Sequence, residues 1–209
     1  MPGRFGYMKE NNMGKACVFA MIRHGKTRGN EEARYMGRTD EGLSERGREE
    51  ILKKDYSSYQ NVEKVFVSPL KRCLETADLV FPGKPREVVP GFIECDFGDF
   101  EYKNYKEMEG NRDYQAWVDS GGTLPFPHGE DVEEFKDRCA LAMKGVIDSC
   151  RKEGITCAGL LIHGGVIMSI MERLCSQKRS YYDWHPENGS GYLVKTEEDY
   201  SLKLLENIF

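Results

Sequence analysis

The chain has 209 residues, of which 39% are hydrophobic and 31% are charged, and its formal net charge is −5. Such proportions are typical of a globular protein with a sizeable core, and the length fits one large domain. The acidic balance disfavours non-specific attraction to nucleic acid or to an anionic membrane surface, so we predict neither partner. A binding site for an anion must therefore be built locally.

Residues 1–15 contain three glycines and two asparagines without hydrophobic periodicity, which predicts a flexible N-terminal extension. We expect residues 16–209 to form a single domain. The seven cysteines are odd in number and have no CxxC spacing, which favours reduced, mostly buried thiols. With neither a signal peptide nor a long apolar span in view, we expect the protein in the cytoplasm.

The first strong structural signal is the apolar run 18–22, which predicts a buried strand followed by Arg23, His24 and a glycine turn at Gly25. This turn leaves the arginine and the histidine at the carboxyl end of the strand. Open α/β sheets bind ligands at that edge, where a helix N-terminus and a guanidinium suit an anion, phosphate above all. His24 is thus a candidate nucleophile or base.

The remaining periodicities predict alternating helices and strands. In chain order they are a helix capped by Ser44 and extending to 54, a strand over 62–67, a helix opened by Ser68 and Pro69 and ending near 80, a strand over 87–89, helices over 105–118 and 130–152, a strand over 156–162, a helix after His163, and strands over 192–195 and 202–205. Strands separated by helices indicate βα units, so we predict an α/β fold with a largely parallel sheet.

The passage from strand to glycine turn occurs again far along the chain, where the strand ending at 162 leads into His163, Gly164 and Gly165. A third strand-to-helix transition carries Arg72 in the first turn of its helix, within reach of the same crevice. A lone histidine is more often a core or surface residue than a catalytic one. Two histidines at matching turns instead favour a shared site.

Six ordered blocks carry a resemblance to a known family. They are Arg23-His24-Gly25-Lys26-Thr27-Arg28-Gly29-Asn30; Gly37-Arg38-Thr39-Asp40 with Leu43-Ser44 and Gly47; Ser68-Pro69-Leu70-Lys71-Arg72-Cys73-Leu74-Glu75-Thr76-Ala77; Glu94-Cys95-Asp96-Phe97-Gly98-Asp99-Phe100-Glu101; His128-Gly129-Glu130 with Arg138; and His163-Gly164-Gly165. The first matches the RHGxTxxN pattern of the histidine phosphatase superfamily, the phosphoglycerate-mutase-like enzymes. The chain is most similar to its small phosphatases, the broad-specificity and α-ribazole phosphatase branches. The resemblance implies a three-layer αβα sandwich around a mostly parallel sheet.

The resemblance also implies a role for each matched residue. His24 would be the nucleophile that becomes a phosphohistidine, and Glu94 the proton donor and later the base. The groups that would hold the phosphoryl oxygens or line the substrate pocket are Arg23, Arg72, His163, Asn30, Thr27 and Gly164. These roles agree with what phosphoryl transfer requires, namely an in-line nucleophile, donors on the equatorial oxygens and a proton for the departing alkoxide.

The protonation states follow only in part from the sequence. A neutral imidazole at His24 can attack at physiological pH because its reference pKa is about 6.5. Glu94 must be protonated when it donates. Burial would raise the pKa of this carboxyl, whereas neighbouring arginines would lower it, and the sequence leaves both outcomes open.

The implied activity is hydrolysis of a small phosphorylated metabolite, with no cofactor. No metal is implied either, because His and carboxylate ligands at short metal-binding spacing are absent and guanidinium charge can do the neutralising work. Two alternatives stay open: a phosphoglycerate-type mutase or phosphotransferase, and a relative that binds a phosphorylated ligand without catalysis. The sequence does not indicate the oligomeric state.

Two departures from the family pattern bear on these alternatives. Mutases of the superfamily usually carry an arginine directly after the catalytic Glu and further arginines in a long insertion. Here Cys95 and Asp96 follow Glu94. We therefore expect Asp96 to repel a second phosphate, which disfavours a mutase. Tyr102 occupies a position where glycine is common, and we expect its bulk to reshape the pocket rim.

Residues 91–129 are predicted to be an inserted region that shapes the substrate pocket. Its aromatic side chains either contact a ring-bearing or sugar substrate or form the core beneath the insertion; they are Phe92, Phe97, Phe100, Tyr102, Tyr105, Tyr114, Trp117 and Phe126. Cys73, beside Arg72, is a weaker nucleophile candidate that its helix pattern already explains. His128 is expected to be an exposed loop residue, and His185 has no assigned partner.

Overall fold

A computed structural model of the protein describes residues 16–209, so the flexible extension predicted for 1–15 lies outside the described residues. The strands are β1 (Val18–Arg23), β2 (Lys64–Val67), β3 (Arg86–Val88), β4 (Cys157–Ile162), β5 (Gly191–Thr196) and β6 (Leu202–Ile208). The α-helices are α1 (Arg28–Glu31), α2 (Glu45–Lys53), α3 (Lys71–Val80), α4 (Arg112–Asp119), α5 (Val132–Glu153) and α6 (Gly164–Leu174). Of the described helices, none combines the length and the apolar character needed to cross a bilayer.

The six strands form one sheet in the order β3-β2-β4-β1-β5-β6. Strands β3, β2, β4 and β1 run parallel to one another, and β5 and β6 continue the sheet in antiparallel fashion. The central strands β1 and β4 are nearly continuous apolar runs because both of their faces are covered. The predicted α/β fold with a mostly parallel sheet is confirmed.

Helices cover both faces of the sheet, which makes three layers. Side chains alternate between the faces along a strand. On one face Phe19 and Met21 of β1 join a core cluster with residues of α5 and α6. On the other face Ala20 and Ile22 join a second cluster with residues of α2 and α3. The predicted αβα sandwich is therefore confirmed.

Strand register brings the predicted site residues to one edge of the sheet. Arg23 of β1 lies opposite Ile162 of β4, and Val67 of β2 lies opposite Leu161 of the same strand. The parallel strands therefore end together, and the residues that follow them, His24, Ser68 and His163, emerge side by side.

The helix predicted to open at Ser68 begins three residues later, at Lys71. Ser68 does not cap it, because the Ser68 hydroxyl lies 2.6 Å from His163 Nε2 and is engaged there. A carboxylate distant in sequence does part of the capping instead: Asp40 Oδ1 accepts a hydrogen bond of 2.7 Å from the Lys71 amide. The capping prediction was wrong because a hydroxyl has several competing partners.

The helix predicted over 105–118 is shorter than expected. The residues before it form turns, and Gly110 adopts a left-handed φ of +78° that a continuous helix does not allow. Asn111 then caps α4, its Oδ1 accepting from the amides of Asp113 and Tyr114. The other predicted elements agree with the structure to within a few residues at their ends.

Candidate active site

The His24 imidazole is held in one tautomer at the end of β1. Its side chain is buried, with 3% of the residue exposed. Nδ1 lies 2.7 Å from the Gly25 carbonyl oxygen, which can only accept, so Nδ1 carries the proton. Nε2 is then unprotonated, and it accepts a hydrogen bond of 3.2 Å from Arg72 Nε. The ring thus presents a lone pair on Nε2.

The His163 imidazole faces the same point. Arg72 Nε donates to His163 Nδ1 over 3.3 Å as well as to His24. The two ring centroids are 5.1 Å apart at an interplanar angle of 66°. On the far side of its ring, His163 Nε2 lies 2.6 Å from the Ser68 hydroxyl oxygen. The two histidines predicted to share a site do so, with one guanidinium nitrogen between them.

The terminal nitrogens of Arg72 are bound to the loop 36–39. Nη1 donates to the Thr39 carbonyl and Nη2 to the Gly37 carbonyl, both over 2.8 Å. Because Arg72 is completely buried, these bonds fix the direction in which Nε points. The loop after α1 therefore orients the arginine that faces both histidines.

The loop 36–39 is itself held by the carboxylate of Glu101. Glu101 Oε1 accepts from the Gly37 amide over 3.0 Å, from the Thr39 amide over 2.8 Å and from the Thr39 hydroxyl over 2.7 Å. Sequence reasoning gave Glu101 no role. The only sequence feature that could have pointed to Glu101 was its place at the end of the block 94–101, which carries part of the resemblance to the family.

Replacing Glu101 with alanine is expected to lower the free energy of unfolding by about 2 kcal/mol, because it leaves two amides and one hydroxyl without their charged acceptor. Urea unfolding monitored by circular dichroism measures this difference. Glu101→Gln keeps an acceptor oxygen and should lose less. The exposed Glu109 provides a control, since Glu109→Ala should leave the unfolding midpoint unchanged. Equal midpoints for Glu101→Ala and Glu109→Ala would contradict this role.

Arg23 is held by a segment that sequence reasoning missed. Its Nη1 donates to the Pro186 carbonyl over 2.9 Å and lies 3.2 Å from His185 Nε2. Its Nε is buried and has no hydrogen-bond partner within residues 16–209. Asn188 Nδ2 also donates to the His24 carbonyl over 2.9 Å. Residues 185–188 therefore position both residues of the first motif.

The pKa values of both site histidines lie well below the usual 6.5. Burial is the main cause, because it penalises the charged imidazolium, and the neighbouring Arg72 lowers the pKa of each ring further. Both imidazoles are therefore neutral at physiological pH. A neutral His24 is a competent nucleophile.

The Glu94 carboxyl is buried beside the histidines, with 6% of the residue exposed. Its oxygens accept from the Cys95 amide over 2.9 Å and from the Gly165 amide over 3.0 Å. A Cβ on Gly165 would lie 2.5 Å from Glu94 Oε1, so only glycine permits this approach. Burial raises the pKa of Glu94, outweighing the two amides and the arginines, which lower it. Of the two opposing effects considered from the sequence, burial is therefore the larger, and the pKa of Glu94 lies above its ordinary value.

The other predicted substrate-binding residues divide into two groups. Asn30 and Gly164 line the cavity described below. Thr27 is fully buried and caps α1, its hydroxyl accepting from the Asn30 amide over 3.2 Å. The side-chain oxygen Oδ1 of Asn30 completes the capping box by accepting from the Thr27 amide over 3.1 Å. A direct contact of Thr27 with substrate stays a prediction.

The remaining nucleophile and histidine candidates lie where they were expected. Cys73 is fully buried, and burial raises the pKa of its thiol to about 12, so it carries no thiolate at neutral pH. His128 has 85% of its side chain exposed and lies 3.0 Å from an Asp99 carboxylate oxygen. Cys73 Sγ lies 3.5 Å from His163 Nε2 and so packs against the cluster as a neutral thiol, whereas His128 lies outside it.

A cavity of about 270 Å³ adjoins the cluster. Arg23, Asn30, Glu94 and Gly164 form part of its lining, whereas His24, Arg72 and His163 do not line it. Much of the remaining wall is aromatic: Tyr35, Phe97, Trp117, Phe126, Phe135, Tyr181 and Tyr182.

The aromatic residues of 91–129 divide between the cavity wall and the core, and their contact with a substrate stays a prediction. Phe97, Trp117 and Phe126 line the cavity. Phe92 and Phe100 are buried in the core and do not line it. The inserted region therefore contributes to the cavity wall and to the hydrophobic core.

Two residues at the departures from the family pattern lie outside the cavity lining, and their expected effects on a second phosphate and on the pocket rim stay predictions. Asp96 does not line the cavity; its carboxylate accepts from the Gly98 amide over 2.9 Å. Tyr102 does not line the cavity either. It adopts a left-handed φ of +59°, and its ring centroid lies 5.0 Å from the guanidinium carbon of Arg34, which does line the cavity. Cys95, in contrast, does line the cavity, where it presents an uncharged thiol.

No group of three or more His, Cys, Asp or Glu side chains within residues 16–209 is arranged to hold a metal ion. All seven cysteines are free, and six of them are buried.

Comparisons with known proteins agree with this geometry. Relatives include the phosphoglycerate mutase-like protein 4 of Arabidopsis thaliana, 30% identical over 161 residues that cover 73% of this chain and 69% of that protein. The phosphoserine phosphatase 1 of Hydrogenobacter thermophilus is 26% identical over 195 residues, which cover 90% of each chain. A broad-specificity phosphatase of Saccharomyces cerevisiae is 28% identical over 177 residues, which cover 80% of this chain and 74% of that protein.

Solved structures share the fold. The α-ribazole phosphatase of Shigella flexneri superposes with a TM-score of 0.78 at 21% identity, covering 92% of this chain and 96% of that chain. A phosphoglycerate mutase of Bacillus anthracis superposes with a TM-score of 0.77 at 21% identity and covers 94% of each chain. The family model for branch 1 of the histidine phosphatase superfamily matches residues 19–207. The chain belongs to the histidine phosphatase superfamily, branch 1.

Proposed function

We propose that the protein hydrolyses a small-molecule phosphomonoester through a covalent phosphohistidine on His24. One observation carries the proposal: His24 Nε2 and His163 Nδ1 converge on Arg72 Nε, at 3.2 and 3.3 Å. A tetrahedral anion bound at this point meets a nucleophile and cationic or polar donors together. The raised pKa of Glu94 adds a proton donor at the wall of the adjoining cavity.

In the first step, the lone pair on His24 Nε2 attacks phosphorus and the bond between phosphorus and the ester oxygen breaks. The departing alkoxide takes the proton of the Glu94 carboxyl and leaves as an alcohol. In the second step, the Glu94 carboxylate removes a proton from water, and the water oxygen attacks phosphorus. The N–P bond breaks, its electron pair returns to Nε2, and inorganic phosphate is released.

The phosphoryl oxygens need hydrogen-bond donors throughout. Arg72 Nε already points at the site, and the unpartnered Nε of Arg23 is a second donor. His163 can act as a third through its Nδ1–H when the Ser68 hydroxyl donates to Nε2, since a hydroxyl can either donate or accept. Asn30 lines the same cavity.

A mutase is disfavoured because it must also bind a second anionic group. Cys95 occupies the position after Glu94 where superfamily mutases usually carry an arginine. Arg34 lines the cavity, but Glu32 and Glu107 already neutralise it at 2.6 and 2.7 Å. Since relatives of both kinds exist, the choice between water and a second substrate as acceptor rests on these side chains.

The test compares the two acceptors directly. We expect the protein to release inorganic phosphate from phosphomonoesters in excess chelator, because arginine charge neutralises the phosphoryl oxygens. Phosphoglycerate isomerisation should be much slower than phosphate release in the same preparation. Isomerisation faster than release would establish a mutase, and loss of activity in chelator would contradict metal independence.

The proposal includes a reducing, cytoplasmic location, which the free cysteines support.

His185 is expected to position Arg23 for this reaction. Its pKa is lowered, chiefly by burial, so at neutral pH its Nε2 can accept from Arg23 Nη1. Replacing His185 with leucine removes this acceptor and should lower kcat/KM by about tenfold. His185→Gln retains an acceptor oxygen and should restore most of the loss. Equal losses in the two variants under steady-state assay would show that the hydrogen bond is not what matters.

A further inference from the structure

The cavity beside Glu94 has the chemistry of a site for a ring. Seven aromatic side chains from four separate segments line it: Tyr35, Phe97, Trp117, Phe126, Phe135, Tyr181 and Tyr182. Glu94 and Arg23 lie in the same wall, so the ester oxygen that Glu94 protonates stands at the entrance to this apolar space. The alcohol portion of the substrate therefore has this space available to it.

The aromatic wall is already assembled. The ring centroids of Tyr35 and Trp117 are 5.9 Å apart, those of Phe97 and Phe126 are 5.0 Å apart, and those of Trp117 and Phe126 are 5.3 Å apart. Edge-to-face and tilted contacts at such distances stabilise a fixed arrangement. A preformed wall costs little ordering when a ligand binds.

The wall offers no free cation to a carboxylate. Of the charged residues that line it, Arg23 and Glu94 belong to the phosphoryl site, and the third is Arg34. Every guanidinium nitrogen of Arg34 is engaged: Nε with Glu32, Nη1 with the Tyr102 carbonyl and Glu107, and Nη2 with Glu107. A substrate carboxylate in this space would lose its hydration without gaining a partner.

Tyr182 stands at the margin of the cavity, with 56% of the residue exposed. It approaches the inserted region at Gly122, where a Cβ would lie 2.4 Å from the Tyr182 hydroxyl and 3.2 Å from the Trp117 ring. The absence of a side chain at Gly122 thus lets the two rings close one side of the cavity. Tyr182 can be changed with little effect on the core because half of it faces solvent.

We propose that the substrate is a phosphomonoester whose alcohol portion is an uncharged apolar group, a ring in particular, close to the ester oxygen. This inference rests on the proposed phosphatase function and adds a substrate class to it. It separates the protein from relatives named for phosphoglycerate or phosphoserine, whose substrates carry a carboxylate near the phosphate.

The test uses three primary alkyl esters, so that the leaving alcohols have similar basicity: ethyl phosphate, 2-phenylethyl phosphate and 2-carboxyethyl phosphate. We expect kcat/KM for the phenylethyl ester to exceed that for the ethyl ester by at least about tenfold, the scale of burying one ring. The carboxyethyl ester should be no better than the ethyl ester. Tyr182→Ala should reduce the phenylethyl-to-ethyl ratio, and Tyr182→Phe should retain it.

A binding measurement separates this inference from the proposed function. The protein has two tryptophans, and Trp117 lines the cavity whereas Trp184 is fully buried. Non-hydrolysable phosphonates with the same three substituents should bind in the same order, reported by tryptophan fluorescence that Trp117→Phe removes. Hydrolysis that depends on His24 but favours the carboxyethyl ester would overturn the substrate class alone. The expected order of phosphonate binding without any hydrolysis would overturn the proposed function alone, and failure of both would overturn both.

Discussion

Replacing His24 with alanine is expected to lower kcat for phosphomonoester hydrolysis by at least about 10⁴-fold, the scale on which loss of a covalent nucleophile acts. No other residue of the cluster can take over this role. In the proposed mechanism His163 donates through Nδ1–H and so offers phosphorus no lone pair there, and burial keeps the Cys73 thiol protonated. Steady-state phosphate release measures the loss, with the exposed His128→Ala as a control that should keep full activity.

Trapping the phosphohistidine intermediate tests the role of His24 without relying on the phosphate-release assay. Wild-type protein mixed with substrate and quenched in base should carry one phosphoryl group on the peptide that contains His24, and acid should remove it. His24→Ala should carry none, whereas His163→Ala should form the adduct slowly, because it loses a donor but keeps the nucleophile. Circular dichroism establishes that each variant is folded. A phosphoryl group that persists in His24→Ala would show that another residue is the nucleophile. It would also contradict the alternative in which the protein binds a phosphorylated ligand without catalysis.

The two histidines and Arg72 were predictable because their positions follow from the sheet. Each histidine comes just after a strand, Arg72 lies in the first turn of the helix that follows β2, and parallel strands end at one edge, as the pairing of Arg23 with Ile162 shows. Glu94 follows a short strand in a long irregular excursion, and only the resemblance to a family pointed to it. The protonation state of Glu94 needed its burial, which depends on how the excursion folds back onto the Gly165 amide.

The supporting residues could not be predicted, because their partners are distant in sequence. His185 reaches Arg23 across 162 positions, through one hydrogen bond without any periodic pattern. Ser68 satisfied a local rule for helix capping and yet bonds His163, a choice that only the assembled sheet decides. The same holds for the aromatic rings, because Phe100 lies in the core and Trp117 lines the cavity, a division that depends on how the segment folds.

Replacing Glu94 with glutamine is expected to lower kcat for alkyl phosphates by about 10²- to 10⁴-fold, the usual contribution of a general acid. An amide cannot protonate the departing alkoxide. The loss should be much smaller for 4-nitrophenyl phosphate, because nitrophenolate leaves without a proton. The exposed carboxyl variant Glu109→Gln serves as a control for a charge change and should match wild type with both esters. Equal losses with alkyl and aryl esters would argue against an acid at this position.

The pH profiles of the wild type and of Glu94→Gln follow from the lowered pKa of His24 and the raised pKa of Glu94. His24 must be neutral, and its lowered pKa keeps the acidic limb of kcat/KM well below pH 6.5. Glu94 must be protonated, so kcat/KM should fall as pH rises through its raised pKa, and this limb should vanish in Glu94→Gln. Stability should change in the same sense as this limb. Because the folded-state pKa exceeds the unfolded one, the wild type loses stability as pH rises through the folded value. The free energy of unfolding of the wild type should therefore fall relative to that of Glu94→Gln as pH rises. A difference between the two proteins that does not depend on pH would show that burial does not hold Glu94 protonated.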